Sequence, residues 1–279
     1  MASVVVACAC LSPLQAREAR VVSQSAGTDE LLIALATPGQ IAALSHIASD
    51  AAFSAVAGEA KAYPHLDRND DAEGILKHRP TLVLFADYSR IELVEQVRRA
   101  GIEVMIFDEY ARLEDAFENL RRLAHAIGAG AAARAEAVIA DCRARVSDLQ
   151  LRLDGCAPAR VIAPSTYGVI PGSETTFQDM CDHACAENLA ATLGGLQGHA
   201  PPPVERMLTW PVDRVVLSGE SIEDALAVFR ELPPYSLMPA VREGRAVLIE
   251  PWQLSCVSHY RVRAYETLAR ALHPARFDR

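Results

Sequence analysis

The sequence predicts an α/β protein of two Rossmann-like lobes with central parallel sheets, joined by one long inter-lobe helix. Three observations predict it. Short apolar strands alternate with amphipathic helices from residue 20 to 129. An Ala-rich, charged stretch from Ala131 to Leu153 then runs without a breaker, with Val138, Ile139, Cys142, Val146 and Leu149 at helical spacing. After Gly155 and Pro158 the alternation resumes to the end of the chain. Regular alternation of this kind means parallel sheets covered on both faces. A helix of about 22 residues spans roughly 33 Å, enough to connect two lobes rigidly. The predicted divisions are a leader over 1–19, a lobe over 20–129, the linking helix over 130–154 and a second lobe over 155–279.

In the first lobe, Arg20 to Ser23 reads as a strand and Thr28 to Ala36 as a helix, with Thr28 as N-cap and Pro38-Gly39 as the stop. Ile41 to Ser45 is the next strand, followed by a loop-rich stretch from His46 to Arg68. The helix Asp71 to Lys77 leads into the strand Thr81 to Phe85. Ile91 to Ala100 is amphipathic, stops at Gly101 and feeds the strand Glu103 to Phe107; Leu113 to Ile127 is amphipathic and stops at Gly128. In the second lobe the strands are Arg160 to Ala163, Arg214 to Leu217 and Ala246 to Ile249. Its helices are Thr176 to Cys185, Leu189 to Leu193, Pro203 to Leu208, Ile222 to Glu231 and Ser258 to Leu272.

One pattern occurs twice: an acidic residue on a short helix ahead of a core strand, Glu73 before Thr81 to Phe85 and Glu205 before Arg214 to Leu217. Two lobes with matching surface carboxylates suit docking on a two-fold partner. On spacing alone the plainer reading is a pair of solvated helix starts, where acids suit the helix dipole.

The 279 residues are 51% hydrophobic and 23% charged, ample for a core. A formal net charge of −9, with 6% aromatics and no basic patch interleaved with aromatic residues, argues against nucleic-acid binding. The apolar, small-residue run Ala2 to Leu14 ahead of Arg17 reads as the h-region of an export signal, although no Lys or Arg precedes it. Val5-Val6-Ala7-Cys8 resembles a lipoprotein cleavage site; the alternative is a first buried strand over Val4 to Ala7. Beyond it no segment approaches the ~18 apolar residues of a membrane span.

Of seven cysteines, Cys181 and Cys185 fall one helical turn apart, on one face. A zinc site would want more ligands than the adjacent His183 supplies, so buried thiols are expected, with a Cys181–Cys185 bridge as the alternative in an oxidising compartment. No GxGxxG, P-loop, HExxH or GxSxG motif is present, and no spacing marks a catalytic triad.

Set in order, four segments resemble the class III substrate-binding proteins of ABC importers. Arg20 to Leu32, RVVSQSAGTDELL, is similar to that family's RVVSLSPSATELL. Asp71 to Val83, DAEGILKHRPTLV, is similar to NLEAILALKPDLV. Pro171 to Phe177 resembles the family's second-lobe GxGTL turn. Glu187 to Ala190 resembles the end of its GGxNxA region, with Cys185 and Ala186 where two glycines are usual. The similarity extends from about residue 20 to 273. These proteins carry ferric siderophores, haem and cobalamin between two α/β lobes.

The resemblance implies a periplasmic, monomeric binding protein without catalytic residues or cofactor, its ligand a small-molecule metal chelate. It gives Glu73 and Glu205 the role of ion-pairing with arginines on the two subunits of an ABC permease dimer at the inner membrane. Sites in α/β sheets lie at the carboxyl ends of the strands. That places Gln24 and Ser25, Ser45 and His46, Asp87 and Tyr88, and Glu109 and Tyr110 in the first-lobe wall of the cleft, together with Tyr63. In the second lobe it places Thr166 and Tyr167, Ser218 and Glu220, and Trp252 and Gln253 there. Tyr88, Tyr110, Tyr167 and Trp252 are expected to enclose the chelate. Arg90 and Arg261 are the nearest cations, so the acidic cleft suits a neutral or cationic complex of siderophore type. Haem could be held by Tyr or His. Cobalamin has one candidate tryptophan, Trp252. The reading from another class is a two-lobed cytoplasmic metal chelatase, with His46 and Asp50 or His259 and Glu266 as its working pair.

Overall fold

The computed structural model describes residues 19–69 and 71–278. The export and lipoprotein readings of the N-terminus lie outside them. The first lobe carries strands β1 (Val21–Ser23), β2 (Ile41–Ala43), β3 (Leu82–Ala86) and β4 (Glu103–Phe107), all parallel, in the order β2-β1-β3-β4. Its helices are α1 (Ala26–Leu35), α2 (Ala57–Ala60), α3 (Ala72–Leu76), α4 (Ile91–Arg99) and α5 (Leu113–Ile127). Helix α6 (Ala131–Leu153) follows.

The second lobe has β5 (Ala159–Ile162), the short pair β6 (Ile170–Pro171) and β8 (His199–Ala200), β7 (Ala186–Asn188), β9 (Arg214–Ser218) and β10 (Ala246–Ile249). Its main sheet is parallel in the order β10-β9-β5-β7, and β6 pairs with β8 antiparallel. Its helices are α7 (Thr176–His183), α8 (Leu189–Thr192), α9 (Val204–Met207), α10 (Ile222–Glu231), α11 (Pro239–Arg242) and α12 (Arg261–Leu272).

Helix α1 begins two residues before the expected start, and its N-cap is Ser25 rather than Thr28. Thr28 is the third helical residue of a capping box: its hydroxyl accepts from the Ser25 N–H at 3.1 Å, and the Ser25 hydroxyl accepts from the Thr28 N–H at 3.3 Å. The expected single helix Thr176 to Cys185 ends at His183 instead. Cys185 turns into the left-handed region, φ 53°, and the chain enters β7, a strand that sequence patterning missed. The cysteine side chains therefore do not share one helix face. Cys181 is fully buried, whereas Cys185 is half-buried; both are free thiols.

Helix α6 packs on α1 and α5 of the first lobe and on α7 and α12 of the second. Ala131, Ala135, Ile139, Cys142, Leu149 and Leu153 form its buried stripe, and one hydrophobic core runs from Leu35 and Leu120 through these residues to Leu268 and Val216. The lobes thus share a core rather than being strung on a solvated linker.

A second tie crosses at the start of α12. Arg261, 2% exposed, donates to the carbonyls of Tyr110 (2.5 Å) and Ala111 (3.1 Å) in the first lobe and pairs with Asp179 of α7 at 3.0 Å. The Tyr265 hydroxyl also donates to Asp179, and His183 stacks on the Tyr265 ring at 4.3 Å. The sequence had offered Arg261 as a cleft cation; the structure makes it a buried brace.

The third tie is steric. A Cβ on Gly27 of α1 would lie 2.3 Å from Cγ2 of Val257, in the segment before α12. Val257 is β-branched and has few rotamers to yield into. Gly27→Ala is therefore expected to cost about 1–3 kcal/mol of stability, read as a lowered urea midpoint with an unchanged slope; an unchanged midpoint would show that the lobes give way freely there.

Candidate functional site

A cavity of about 510 Å³ lies between the lobes. Its first-lobe wall is the start of α1 (Ala26, Gly27, Glu30), Ile47 and Phe53 from the segment after β2, Tyr88 after β3, and Tyr110 and Ala111 after β4. Its second-lobe wall is Glu174, Thr175 and Thr176, His199 on β8, and Leu254 to Val257. The first-lobe wall thus stands at the carboxyl ends of β1, β2, β3 and β4, as parallel sheets generally arrange their sites. Much of the second-lobe wall comes instead from the β6–β8 region and from the turn before α12.

The cavity is acidic. No Lys or Arg is among its described lining residues, which include Glu30 and Glu174. Tyr88 is 68% exposed and Phe53 52%, so two large rings stand in solvent at this wall. The Tyr110 hydroxyl donates to Asp87 at 3.1 Å. Burial and the Asp87 carboxylate together push the Tyr110 phenol up to about 12.

Glu30 is almost wholly buried. It accepts from the Ala55 N–H at 2.9 Å and from the Ser258 hydroxyl of the second lobe at 2.5 Å. Its neighbour Asp29 accepts from the Ser45 N–H at 3.0 Å and the Ser45 hydroxyl at 2.5 Å. Burial pushes both carboxyls up to about 7, against these hydrogen bonds, which lower them.

Of the residues expected to bind ligand, Tyr88 and Tyr110 are brought together in the cavity wall. Asp87 joins them through Tyr110, and Ser25 caps the helix that forms the wall. Gln24 is turned inward, its side-chain oxygen accepting from the Ser89 hydroxyl at 2.8 Å, so it tethers the Tyr88 loop. His46 is exposed, beside Ile47 but outside the lining. Tyr63 packs on the hydrophobic core. Glu109 is exposed and serves through its carbonyl, which accepts from Asn119 at 2.7 Å. Thr166 and Tyr167 are exposed on the loop after β5, Tyr167 at 88%, away from the cavity lining.

Trp252 and Gln253 require correction. Trp252 is 5% exposed, its indole N–H donates to Glu250 at 2.7 Å, and with Gln253 it lines a separate cavity of about 400 Å³ between residues 51–58 and α12. The turn after β10 folds these two residues back against α12, where Gln253 donates to Thr267 at 3.1 Å. The chelatase pairs are not assembled either. Asp50 accepts from the Ala52 N–H at 2.9 Å within its own turn, and Glu266 is held by Arg145 at 2.7 Å. His259 is buried, and burial with Arg263 and Arg145 nearby pushes it down to about 4. Glu73 and Glu205 are exposed, on α3 and α9.

Sequence reasoning missed Glu30, Phe53, Glu174 and His199. An acid inside the otherwise apolar run of α1 was the available signal for Glu30, and a lone aromatic residue in a loop was the signal for Phe53. Glu174, at φ 59°, sits inside the quoted Pro171 to Phe177 segment. His199 had none, because a two-residue antiparallel strand leaves no periodicity.

The raised carboxyls fix a pH dependence. The folded chain holds protons on Asp29 and Glu30 that the unfolded chain releases near pH 4–4.5, so their contribution to stability is full at low pH and is lost as pH rises through about 7. Glu30→Gln keeps the shape and removes that loss. Its stability relative to the parent should rise between pH 5 and 8, by about 1–3 kcal/mol. Parallel urea titrations of the two proteins across that range measure it, and a constant difference would refute the assignment.

A family model for periplasmic binding proteins matches residues 21–251. A search of curated protein sequences found no match. Among solved structures, the chain is similar to a periplasmic haem-binding protein from Roseiflexus sp. RS-1, at 22% identity and TM-score 0.78, over 93% of this chain and 99% of that one. It is similar to a periplasmic haem-binding protein of Vibrio cholerae at 21% identity and TM-score 0.75, over 92% and 100%. It is also similar to a Helicobacter pylori protein solved as a nickel–histidine complex, at 15% and TM-score 0.70, over 93% and 84%. At these identities the likenesses show the fold.

Proposed function

The chain belongs to the periplasmic binding protein family, and on that premise we propose that it is the substrate-binding component of an ABC importer, capturing a metal chelate between its lobes. The observation that carries the ligand class is the cavity of about 510 Å³ with Tyr88 and Tyr110 on one wall and His199 on the other. Its size is that of a small-molecule site. Phenol and imidazole are donors for ferric iron, and exposed rings such as Phe53 and Tyr88 offer flat apolar faces. Binding rather than catalysis is the work of such a cleft.

Tyr110 faces the cavity with its phenol held protonated, pushed up to about 12 by burial and Asp87, so a bound metal would have to displace that proton itself. Coordination needs the phenol oxygen without the proton, which it donates to Asp87 in a hydrogen bond at 3.1 Å. The absence of Lys and Arg from the described lining disfavours an anionic group buried in the cavity. A haem would have to hold its propionates toward solvent, and a neutral or cationic iron–siderophore would fit without that condition. The protein works in the periplasm in this reading, and among the described residues no helix is long and apolar enough to cross a membrane.

Titration with haemin and with ferric siderophores, followed by the chelate's own absorption, tests the proposal. At least one is expected to bind below about 10 μM, near −7 kcal/mol. Tyr110→Phe, or the pair Tyr88→Phe and Tyr110→Phe, should weaken it by about tenfold or more, about 1.4 kcal/mol. Failure of every chelate to bind, or full affinity in the double variant, would overturn the site. Tryptophan quenching is a poor readout, because Trp252 lies outside this cavity.

Delivery is the second half of the proposal. Glu73 and Glu205 are the exposed acids of α3 and α9 and would set the register on a permease dimer. Single exposed ion pairs contribute about 0–1 kcal/mol, so steering and register are their use. Reversing both charges should abolish uptake in cells while chelate affinity stays within a few-fold. A collapse of affinity in the purified double variant would show that these residues serve the ligand site instead.

A further inference from the structure

Cys156, Cys185 and His273 come together at the edge of the second lobe opposite the cleft. Cys156 ends the turn after α6, three residues before β5. Cys185 immediately precedes β7, the strand paired with β5, and His273 follows α12. Both sulfurs and one imidazole nitrogen lie within 4.8 Å of one another, and all three residues are half-buried. The cleft is at the carboxyl ends of the first-lobe strands and the segment before α12, so none of these residues touches it.

The imidazole is already oriented as a ligand. Its Nε2 donates to the Cys185 carbonyl at 3.0 Å, which fixes the tautomer and leaves the Nδ1 lone pair facing the thiols, 3.2 Å from the Cys156 sulfur. A backbone carbonyl holding the far nitrogen is the usual second partner of a metal-binding histidine. That carbonyl is itself fixed, because it also accepts from the Ala159 N–H at 3.0 Å in the ladder of β5 and β7. Cys185 reaches this place only through a left-handed backbone, φ 53°. A side chain there costs stability, of order 1 kcal/mol, and this one is only partly buried against the core.

We propose that Cys156, Cys185 and His273 form a Cys2His site for a thiophilic d10 cation, with Zn2+ as its representative. Tetrahedral zinc with Zn–S near 2.3 Å and Zn–N near 2.0 Å sets ligand atoms roughly 3.5–3.8 Å apart. The observed separations, 3.2 Å and at most 4.8 Å, bracket that range, so side-chain rotations suffice. Binding releases the two thiol protons to solvent and forms two metal–sulfur bonds and one metal–nitrogen bond; two thiolates neutralise the dication. The half-exposed edge leaves the fourth position to water. The site ties the end of α6, the start of β7 and the end of α12 into one unit.

The test uses the full chain, reduced and freed of metal, titrated with Co2+ as the spectroscopic probe and then with Zn2+. The expected result is one Co2+ per chain, with a sulfur-to-cobalt charge-transfer band and the visible bands of a tetrahedral ion, both displaced by one equivalent of Zn2+. Cys156→Ser, Cys185→Ser and His273→Gln should each lose the charge-transfer spectrum or the displacement at one equivalent. Cys181→Ser, and Cys8→Ser with Cys10→Ser, should keep both. Zn2+ should also raise the thermal midpoint of the parent and not that of His273→Gln, which separates lost ligation from misfolding. A spectrum retained in Cys156→Ser, or one without sulfur ligation in the parent, overturns the proposal. So does a Cys156–Cys185 disulfide mapped by mass spectrometry in protein recovered without reductant. Neither result bears on chelate binding in the cleft.

Discussion

The lobes of this protein are placed by one buried cation. Arg261 is the first residue of α12, yet two of its hydrogen bonds cross to the other lobe, to the carbonyls of Tyr110 and Ala111. Its charge is met inside the second lobe by Asp179. An uncompensated buried charge costs about 3–5 kcal/mol, so Asp179 must be held where Arg261 can reach it, and Tyr265 and His183 do the holding. Removing the guanidinium from water is worthwhile only while all of these acceptors are in place. The carbonyls it grips belong to Tyr110 and its neighbour, so the same group that fixes the lobes fixes a phenol in the cavity wall.

The second organising fact is that α6 contributes its apolar stripe to the core of both lobes. Burial on this scale is non-directional and cumulative, and it resists shear because interiors are close-packed. Arg261 supplies direction, the shared core supplies strength, and the close approach of Gly27 to Val257 sets the distance of closest contact. These three constraints act at different points along the lobe boundary, and two of them, at Gly27–Val257 and at Tyr110–Ala111, bound the cavity itself.

Sequence legibility followed from the range of the forces involved. Helix α6 and strand β4 were read to their ends, because periodicity and breakers are local. Helix α5 was equally plain, and so was the exposure of Glu73 and Glu205. The N-cap of α1 was misplaced by three residues because Ser25 and Thr28 both cap, each serving the other's N–H. Strand β7 was missed because three residues after a left-handed cysteine carry no pattern. The site was half legible. The rule that ligands sit at strand ends found Tyr88 and Tyr110, but it gave Trp252 to the cleft because nothing local shows that the turn after β10 folds back on α12. Glu30 and His199 enter the cavity only through pairing and lobe docking, which a linear pattern does not contain.

The shared core of α6 has a consequence for recognition. Two lobes that cannot swing apart without exposing a common interior have no cheap open form, so filling the cavity changes the outline of the molecule very little. If the chain delivers a ligand as proposed, an empty and a loaded copy would present nearly the same silhouette, with Glu73 and Glu205 exposed in both. Under the proposed function, a receiving surface would then have to sense the occupant at the mouth of the cleft, where Tyr88 and Phe53 stand in solvent, rather than a posture of the two lobes.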